Sequence, residues 1–257
     1  AAAKIRSPHV VTIFDFGKLD DGMPYIVMEL LQGESLADVI DGDEELSLSQ
    51  AAGIVTQVAR GLTAAHAAGI VHRDIKPDTI FITRTTGGER VIKILDFGIA
   101  KRVEATALTA PGVVLGTAPY MSWEQVLDAA KVDHRADLWA LAVVTYEMLT
   151  GALPFGGENA SEIFAAIWRA EPEPPSKLRV GLTAEVDAWF ERAFTSELAE
   201  RPQTAKELAT SLVDALVTTG ELDEPDILDP ISSEDLSLSL APSRASPLPL
   251  DSDPLNL

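Results

Sequence analysis

The sequence predicts an α+β fold in which short β-hairpins accompany a mostly helical body. Two β-prone stretches near its start, residues 10–16 and 25–31, flank the turn sequence "LDDGMP" and are typical of an antiparallel pair. Further along, apolar residues recur at helical spacing in several long segments. The chain has 257 residues, of which 46% are hydrophobic, so it can bury a sizeable core.

The first long helix is predicted to begin at Ser47 or Ser49 and to run to about Ala68. Either serine can accept a hydrogen bond from the first backbone N–H groups of a helix, and Gly69 favours its end. The apolar positions at helical spacing are Ile54, Val55, Val58, Leu62 and Ala65. A second hairpin follows, because the β-prone runs "TIFIT" and "VIKILDF" flank the turn sequence "RTTGGER".

The second half of the chain is predicted to be mainly helical. A segment of little periodicity begins after Asp96 and continues to about Gln125, and loops of that length are usually functional. From about Thr218 the chain is acidic and rich in Ser, Pro and Leu, which predicts a disordered tail. Between these two segments, helices are predicted over residues 137–149, 160–170, 183–194 and 204–217.

The composition argues against several classes of function. A net charge of −20 would repel a phosphate polymer, so we expect no nucleic-acid partner. The sequence contains no cysteine, which excludes disulfides, thiolate metal sites and thiol nucleophiles. Its four histidines lie far apart without ligand-like spacing, so a histidine-based zinc site is not expected.

No signal peptide or membrane-spanning segment is predicted. The most apolar stretch, "LWALAVVTYEMLTGALPF", contains Glu147 and is shorter than the roughly 20 residues that a spanning helix needs. We interpret it as a buried helix of a soluble protein, and the cytoplasm is the expected location. The opening residues "AAAKIRS" have the composition of the last turns of a helix, so we expect the chain to be a fragment.

The stretch "HRDIKPDTIF", residues 72–81, concentrates charged residues between apolar runs. Asp74 could accept a proton from an approaching hydroxyl, and Lys76 could neutralise charge on a phosphoryl group in transfer. Asp96, in "DFG", could hold a divalent metal ion, since Mg²⁺ prefers carboxylate oxygen. The combination indicates phosphoryl transfer. A purely structural interpretation remains open at this stage, in which Asp74 caps a turn and Asp96 ends a strand.

Five motifs in this order identify a family resemblance: "HRDIKP", "DFG", "GTAPYMSWEQ", "DLWALAVVTYEMLTGALPF" and "ERP". Together they resemble the C-terminal lobe of bacterial Hanks-type serine/threonine protein kinases, over about residues 1–217. The resemblance implies a protein-kinase-like fold with three parts. Residues 1–31 would be a remnant of the N-terminal lobe, residues 32–217 the C-terminal lobe, and residues 218–257 the tail.

The resemblance implies ATP and Mg²⁺ as cofactors and a protein Ser or Thr hydroxyl as acceptor. Asp74 would orient that hydroxyl and accept its proton, Lys76 would contact the γ-phosphate, and Asp96 would chelate Mg²⁺. Met28 matches the gatekeeper of the nucleotide site. The adenine would form hydrogen bonds with the backbone between Glu29 and Leu31, and it would lie above Phe81.

The resemblance also implies regulatory and structural residues. Arg73, directly before the base, would bind a phosphorylated loop, with Thr106 and Thr109 as acceptors and a dimerisation partner as one source of the phosphate. Thr117 would help to select Ser or Thr substrates. The structural residues are an ion pair of Glu124 with Arg201 and, at the start of the apolar helix, Asp137 as acceptor of catalytic-loop N–H groups.

The sequence departs from the family pattern at several positions. Thr79 stands at the second metal-ligand position, where the family has Asn, and its short hydroxyl lacks the amide donors that brace the loop. Trp123 replaces a proline and Ala142 replaces a glycine. No Gly-rich loop and no Lys of a "VAIK" motif precede these motifs, so we expect the chain alone to turn over ATP poorly. Three hypotheses therefore remain: an incomplete kinase, a degenerate kinase that serves as a protein-binding module, and a scaffold.

Overall fold

The computed structural model describes residues 5–42, 45–85, 88, 90–97, 116–127, 132–220 and 222. The strands are β1 (Ile13–Lys18), β2 (Pro24–Met28), β3 (Gly33–Ser35), β4 (Ile80–Arg84) and β5 (Arg90–Ile94). The helices are α1 (Leu36–Ile40), α2 (Leu48–Ala67), α3 (Trp123–Leu127), α4 (Arg135–Thr150), α5 (Ala160–Arg169), α6 (Pro175–Leu178), α7 (Ala184–Ala193) and α8 (Ala205–Val217). Short 3₁₀ turns lie at Pro77–Thr79 and Ala118–Tyr120.

The strands form two small antiparallel sheets, and both predicted hairpins are present. β1 pairs with β2, and β4 lies between β3 and β5 in a three-stranded sheet. Backbone hydrogen bonds join the segment before β1 to the end of β5 and so connect the two sheets. Val11 N donates to Ile94 O, and Ile94 N donates to His9 O. Strand β3 was not predicted, since three residues with the sequence "GES" carry no apolar alternation.

Ser47, the first of the two candidate serines, caps helix α2. Its Oγ accepts a hydrogen bond from Gln50 N at 3.1 Å, and Gln50 Oε1 accepts one from Ser47 N at 2.9 Å. This reciprocal pair satisfies two backbone donors that a helix start leaves free. The helix ends at Ala67, and Gly69 has the left-handed φ of 72° predicted for a stop.

Helix α4 is buried along nearly its whole length and forms the centre of the helical body, as its apolar sequence predicted. It packs against α2, α6 and α7, while α8 packs on α2 and α7. The four later helices predicted from periodicity, α4, α5, α7 and α8, begin and end within two residues of the predicted bounds. Within the described ranges, no helix has the length and apolarity needed to cross a membrane.

The bulky side chain of Trp123 is partly exposed at the surface of the helical body. Its ring contacts that of Trp168 on α5, with ring centroids 5.4 Å apart. Ala142, where the family has glycine, is fully buried in α4. The long non-periodic segment is described only at residue 97 and from residue 116 onward, and the tail only at residues 218–220 and 222.

A buried arginine, Arg201, joins α3 to the helical core. Its side chain is fully buried, and its Nη1 donates to Glu124 Oε1 at 2.9 Å. Its Nη2 also donates to Thr195 O at 2.9 Å, and the guanidinium lies over the ring of Trp139, 4.9 Å from the centroid. The structure therefore brings Glu124 and Arg201 together as the resemblance implied. Because desolvation disfavours a buried cation, the pKa of Arg201 is lowered, although Glu124 opposes that shift.

The Glu124–Arg201 pair generates a stability prediction. Arg201→Met should lower the free energy of unfolding by about 3–5 kcal/mol, because it leaves a buried carboxylate without its cation. In the described part of the chain, Glu124 Oε2 has no hydrogen-bond partner that could compensate. The double variant Glu124→Leu/Arg201→Met should lose less than the sum of the two single variants. Denaturant unfolding of the four proteins measures this coupling.

A surface pair supplies the control for this cycle. Arg192 and Glu207 also form an ion pair, but their side chains are 48% and 38% exposed. Arg192→Met should therefore lower the unfolding free energy by about 1 kcal/mol or less. Additive losses in the buried cycle would show that Glu124 and Arg201 stabilise the fold independently of each other.

Candidate active site

The charged stretch that contains Asp74 forms a loop between α2 and β4. Ile75 is fully buried in the middle of this loop, and His72 is fully buried beside it. The side chains of Asp74 and Lys76 remain partly accessible, and Lys76 Nζ lies 3.8 Å from Oδ2 of the exposed Asp78. Alternation of buried apolar and accessible charged residues thus anchors the loop while leaving its charges near the surface.

Asp137, at the start of α4, holds the first residues of this loop. Its Oδ2 accepts from His72 N at 2.9 Å, and its Oδ1 accepts from Arg73 N at 2.7 Å. Oδ2 also lies 2.7 Å from His66 Nε2 on α2. The carboxylate is fully buried, and these bonds supply the partners that such burial requires.

The Arg73 backbone has a left-handed conformation, with φ of 65°. Such a conformation costs a non-glycine residue about 1–3 kcal/mol and persists when neighbouring contacts impose it. Three hydrogen bonds impose it here. Arg73 N donates to Asp137, and Gln125 Nε2 donates to the Arg73 carbonyl at 3.0 Å. Arg73 Nη2 donates to Val132 O at 3.2 Å. The residue before the candidate base is therefore fixed through both its backbone and its side chain.

Gln125 was not among the predicted site residues. It also exchanges two hydrogen bonds with Ser122, whose backbone N donates to Gln125 Oε1 and whose Oγ accepts from Gln125 N. The pattern "SWEQ" is that of a capping box and could have predicted the helix start. Its contact with Arg73, 52 residues away, has no local signal in the sequence.

His72 links the loop to the segment that contains Asp96. Its Nε2 lies 2.7 Å from Leu95 O, and its Nδ1 accepts from Asp74 N at 3.2 Å. This arrangement requires a neutral ring that donates through Nε2. The ring also makes an edge contact with Phe97, with centroids 4.7 Å apart. The loop of Asp74 and the segment of Asp96 are thereby held as one unit.

Asp96 follows β5 and has an exposed side chain and a left-handed φ of 53°. Its predecessor Leu95 is fixed at both backbone groups, because Leu95 N donates to Thr79 O at 2.8 Å and Leu95 O accepts from His72. The buried Phe97 follows Asp96. An exposed carboxylate between two anchored residues is suited to contact a ligand that approaches from solvent.

Thr79 is buried, and its hydroxyl is used inside the loop. Its Oγ1 accepts from Lys76 N at 3.1 Å and lies 3.0 Å from Lys76 O and 3.2 Å from Asp74 O. Although threonine lacks the amide donors of asparagine, its one hydroxyl serves this loop as both acceptor and donor. Within the described ranges, no group of three or more His, Cys, Asp or Glu side chains is arranged to hold a metal ion.

The residues predicted to contact adenine lie at the end of β2 and on β4. Met28 ends β2 with 39% of its surface exposed, Leu31 is half-buried, and Phe81 is half-buried on β4. Glu29 N donates to Thr12 O at 3.0 Å, so this N–H is already used within the fold.

The Glu29 side chain forms a clasp that the sequence did not predict. Its Oε1 accepts from Lys93 Nζ on β5 at 2.7 Å and from Thr12 N at 2.7 Å. Burial opposes its ionisation, but these hydrogen bonds outweigh burial, so the pKa of Glu29 is lowered. The clasp ties the residues after β2 to the strand that leads into Asp96.

The predicted regulatory residues are only partly described. Thr117 is half-buried directly before the 3₁₀ turn at Ala118–Tyr120. Thr106 and Thr109 lie outside the described residues. Their relation to Arg73 therefore stays a prediction.

The buried His72 generates a pH prediction. Burial lowers the pKa of its ring below the unfolded value of 6.5, and the nearby Asp137 only partly opposes this shift. As pH falls below 6.5, the unfolded chain takes up a proton that the folded chain refuses, so stability falls. In His72→Gln, the slope of unfolding free energy against pH should decrease by up to about 1.4 kcal/mol per pH unit.

Denaturant unfolding between pH 7.5 and pH 5.5 measures that slope. His134→Gln is the matched control, because His134 lies outside the loop and bonds Gln203 O at the start of α8. An unchanged slope in His72→Gln would show that the ring is protonated in the folded chain.

Comparison with known proteins bears on the family and the fold. Residues 1–219 match the family model of the protein kinase domain. The chain is 35% identical over 218 residues to the serine/threonine-protein kinase Pkn3 of Myxococcus xanthus, with 82% of this chain and 40% of that protein covered. It is 34% identical over 258 residues to the serine/threonine-protein kinase PknB of Mycobacterium tuberculosis, with 96% and 40% covered. The chain thus spans about two fifths of the length of these relatives.

A solved structure shows the same fold. The kinase domain of PknI from Mycobacterium tuberculosis matches with a TM-score of 0.64 at 28% sequence identity, over 83% of this chain and 75% of that one. The two relatives named above are bacterial serine/threonine kinases. Combined with the match to the family model, this structural likeness shows that the chain belongs to the protein kinase family.

Proposed function

We propose that this chain contributes the phosphotransfer centre of a serine/threonine protein kinase. The observation that carries the proposal is the network through His72, which holds the loop of Asp74 and the segment of Asp96 as one unit. A base and a metal ligand must keep a fixed separation around one reacting phosphoryl group. The hydrogen bonds from His72 to Asp137 and from His72 to Leu95 support that rigidity.

In this proposal Asp74 orients the substrate hydroxyl and accepts its proton. The Asp74 backbone N–H is bound by His72, so the backbone that carries the Asp74 side chain is fixed from the buried side. Lys76 neutralises charge on the γ-phosphate, and among the described residues its ammonium group has one ion-pair contact, the long one to exposed Asp78. The protein substrate is one that presents Ser or Thr, with Thr117 as a contributor to that choice.

ATP is the proposed phosphate donor. The Glu29 carbonyl and the Leu31 peptide group are the proposed partners of the adenine edge, because the Glu29 N–H is already bound to Thr12. Met28 and Phe81 are both partly exposed and apolar, which suits contact with a base.

Asp96 is the proposed Mg²⁺ ligand, and its exposed carboxylate fits that role. Mg²⁺ is often held by one or two carboxylates together with substrate phosphates, so a larger protein cluster is not required. The ion would neutralise charge on the phosphates. Thr79 fits less well, because its hydroxyl is bound within the loop.

Regulation by loop phosphorylation is the proposed role of Arg73. A phosphate on Thr106 or Thr109 would add nearly two negative charges, and a second kinase molecule, as a dimerisation partner, would supply it. Arg73 Nη2 now donates to Val132 O, which holds the guanidinium beside the site. We also propose a cytoplasmic location, where ATP and protein substrates occur together.

One observation favours a second candidate function, a degenerate kinase that serves as a protein-binding module. The metal-ligand position is occupied by a threonine that the loop itself uses. Phosphate transfer by the chain would contradict this alternative. An ATP-dependent rise in melting temperature without transfer would favour it.

In a form of the chain joined to a kinase N-terminal lobe, we expect Asp74→Asn to lower phosphate transfer at least about 100-fold, since a positioned base typically contributes that much. The measurement is incorporation of labelled γ-phosphate into a generic Ser/Thr protein substrate with ATP and Mg²⁺. Asp20→Asn, at the exposed β1–β2 turn, is the control and should retain the wild-type rate. An Asp74→Asn variant of wild-type rate would remove Asp74 from the role of base.

Thr79→Asn tests the metal assignment. An amide oxygen at this position should raise phosphate transfer or lower the Mg²⁺ concentration needed for half-maximal transfer. Titration of the rate with Mg²⁺ measures the effect, and an unchanged titration would show that the side chain at this position does not reach the ion.

A second variant separates this role from bracing of the loop. Thr79→Val keeps the shape but removes the hydroxyl, so it should lower the unfolding free energy by about 1–3 kcal/mol. Thr79→Ser, which keeps the hydroxyl, should be close to wild type in the same unfolding measurement.

A further inference from the structure

A groove of about 470 Å³ lies between α2 and α8, apart from the site described above. It exists because small residues face each other where the two helices pack: Ala59 on α2 and Ala209 on α8 are both buried at its floor. The half-buried Val213 extends this floor along α8. The floor is therefore apolar.

Two cations line the rim of this groove. Arg60 of α2 and Lys206 of α8 are exposed, and in the described part of the chain neither has an ion-pair partner. The whole sequence contains 20 basic and 40 acidic residues. In so acidic a chain, two unpaired cations beside one apolar floor favour an occupant that has both carboxylates and aliphatic side chains.

The chain itself contains such a sequence. Residues 223–236, "DEPDILDPISSEDL", follow α8 closely and are called the acidic segment below. The acidic segment has six acidic and no basic residues, together with four aliphatic ones. It lies outside the described residues, so its match to the groove is one of sequence chemistry.

The acidic segment also has the length to reach the groove. Helix α8 ends at Val217, and Leu222 is still buried against the core, so the chain stays at the protein surface up to the segment. From Val217 back to Lys206 is roughly 16 Å along the helix, at about 1.5 Å per residue. Fourteen extended residues span up to roughly 46 Å.

We infer that the acidic segment binds in the groove between α2 and α8. Its carboxylates pair with Arg60 and Lys206, and its aliphatic side chains lie on Ala59, Ala209 and Val213. Since groove and segment belong to one chain, binding is intramolecular and needs only modest intrinsic affinity. Because the rim is exposed, added salt weakens the contact.

Paramagnetic relaxation in the full chain tests this inference. The native sequence contains no cysteine, so Ser233→Cys gives a single site for a nitroxide label. Amide signals of Thr63 and Thr210, beside the groove, should broaden, whereas those of the β1–β2 hairpin should not. Absence of broadening at Thr63 and Thr210 would overturn the inference.

Charge variants test the rim. In Arg60→Glu/Lys206→Glu, broadening at the groove should fall roughly tenfold, because two exposed ion pairs are lost. Arg60→Gln/Lys206→Gln should show a smaller fall in this broadening. This milder variant provides the test if the charge reversal unfolds the chain. The control Arg169→Glu/Lys177→Glu makes the same charge change at exposed positions elsewhere and should leave the broadening unchanged. Equal broadening in all four proteins would overturn the assignment of the rim.

A mixed sample distinguishes one chain from two. Isotope-labelled chain without nitroxide is combined with unlabelled chain that carries the nitroxide. Intramolecular binding predicts no broadening at Thr63 or Thr210 in this mixture. Broadening there would show that the acidic segment of a second copy fills the groove, which contradicts the inference as stated.

Discussion

One buried carboxylate, that of Asp137, sets the geometry of the candidate site. It accepts the backbone N–H groups of His72 and Arg73, and the second of these residues has a left-handed backbone. A conformation that costs about 1–3 kcal/mol is kept only where stronger interactions impose it. Hydrogen bonds to a buried charged group are of that strength. Because Asp137 belongs to the buried helix α4, Arg73 is anchored directly to the core.

A second set of contacts, from helix α3, fixes the carbonyl of Arg73. Arg201 anchors Glu124 on α3, and the next residue, Gln125, donates to the Arg73 carbonyl. The peptide groups of Arg73 are thus held between α4 and α3, and α3 is held by an arginine that packs over Trp139. A change at Arg201 would loosen α3 and, through Gln125, the orientation of the catalytic loop. The ion pair and the loop are therefore physically coupled, although Glu124 and Arg201 lie 77 residues apart and Gln125 lies 52 residues from Arg73 in sequence.

The sequence predicted those parts of the fold that depend on local patterns. Helices α2, α4, α5, α7 and α8 follow from apolar spacing and capping residues, and the two hairpins follow from their turn sequences. The short elements β3, α1, α3 and α6 were missed, because three to five residues hold too little periodicity. Of the two candidate caps for α2, only the structure distinguishes Ser47 from Ser49.

Two contacts predicted around the candidate site are present in the structure, whereas other contacts had no signal in the sequence. The ion pair of Glu124 with Arg201 and the role of Asp137 as an acceptor followed from the resemblance, and the structure shows both contacts. The Glu29–Lys93 clasp was not predicted, because it joins residues 64 positions apart and has no motif. The positive φ angles of Arg73 and Asp96 were also not predicted, because glycine is the strong sequence signal for that conformation and aspartate only a weak one.

The hydroxyl of Thr79 separates two tasks that an amide can combine. An asparagine has an oxygen and two N–H donors, so it can brace a loop and still offer an oxygen to a metal ion. Thr79 has one hydroxyl, and Lys76 N donates to it while its proton points to carbonyls of the same loop. Bracing is therefore kept, and under the proposed function this position would supply no metal ligand. Because Mg²⁺ takes most of its ligands from phosphates and water, that loss would weaken binding of the ion without excluding it, and the proposed roles of Asp74 and Asp96 remain compatible with Thr79.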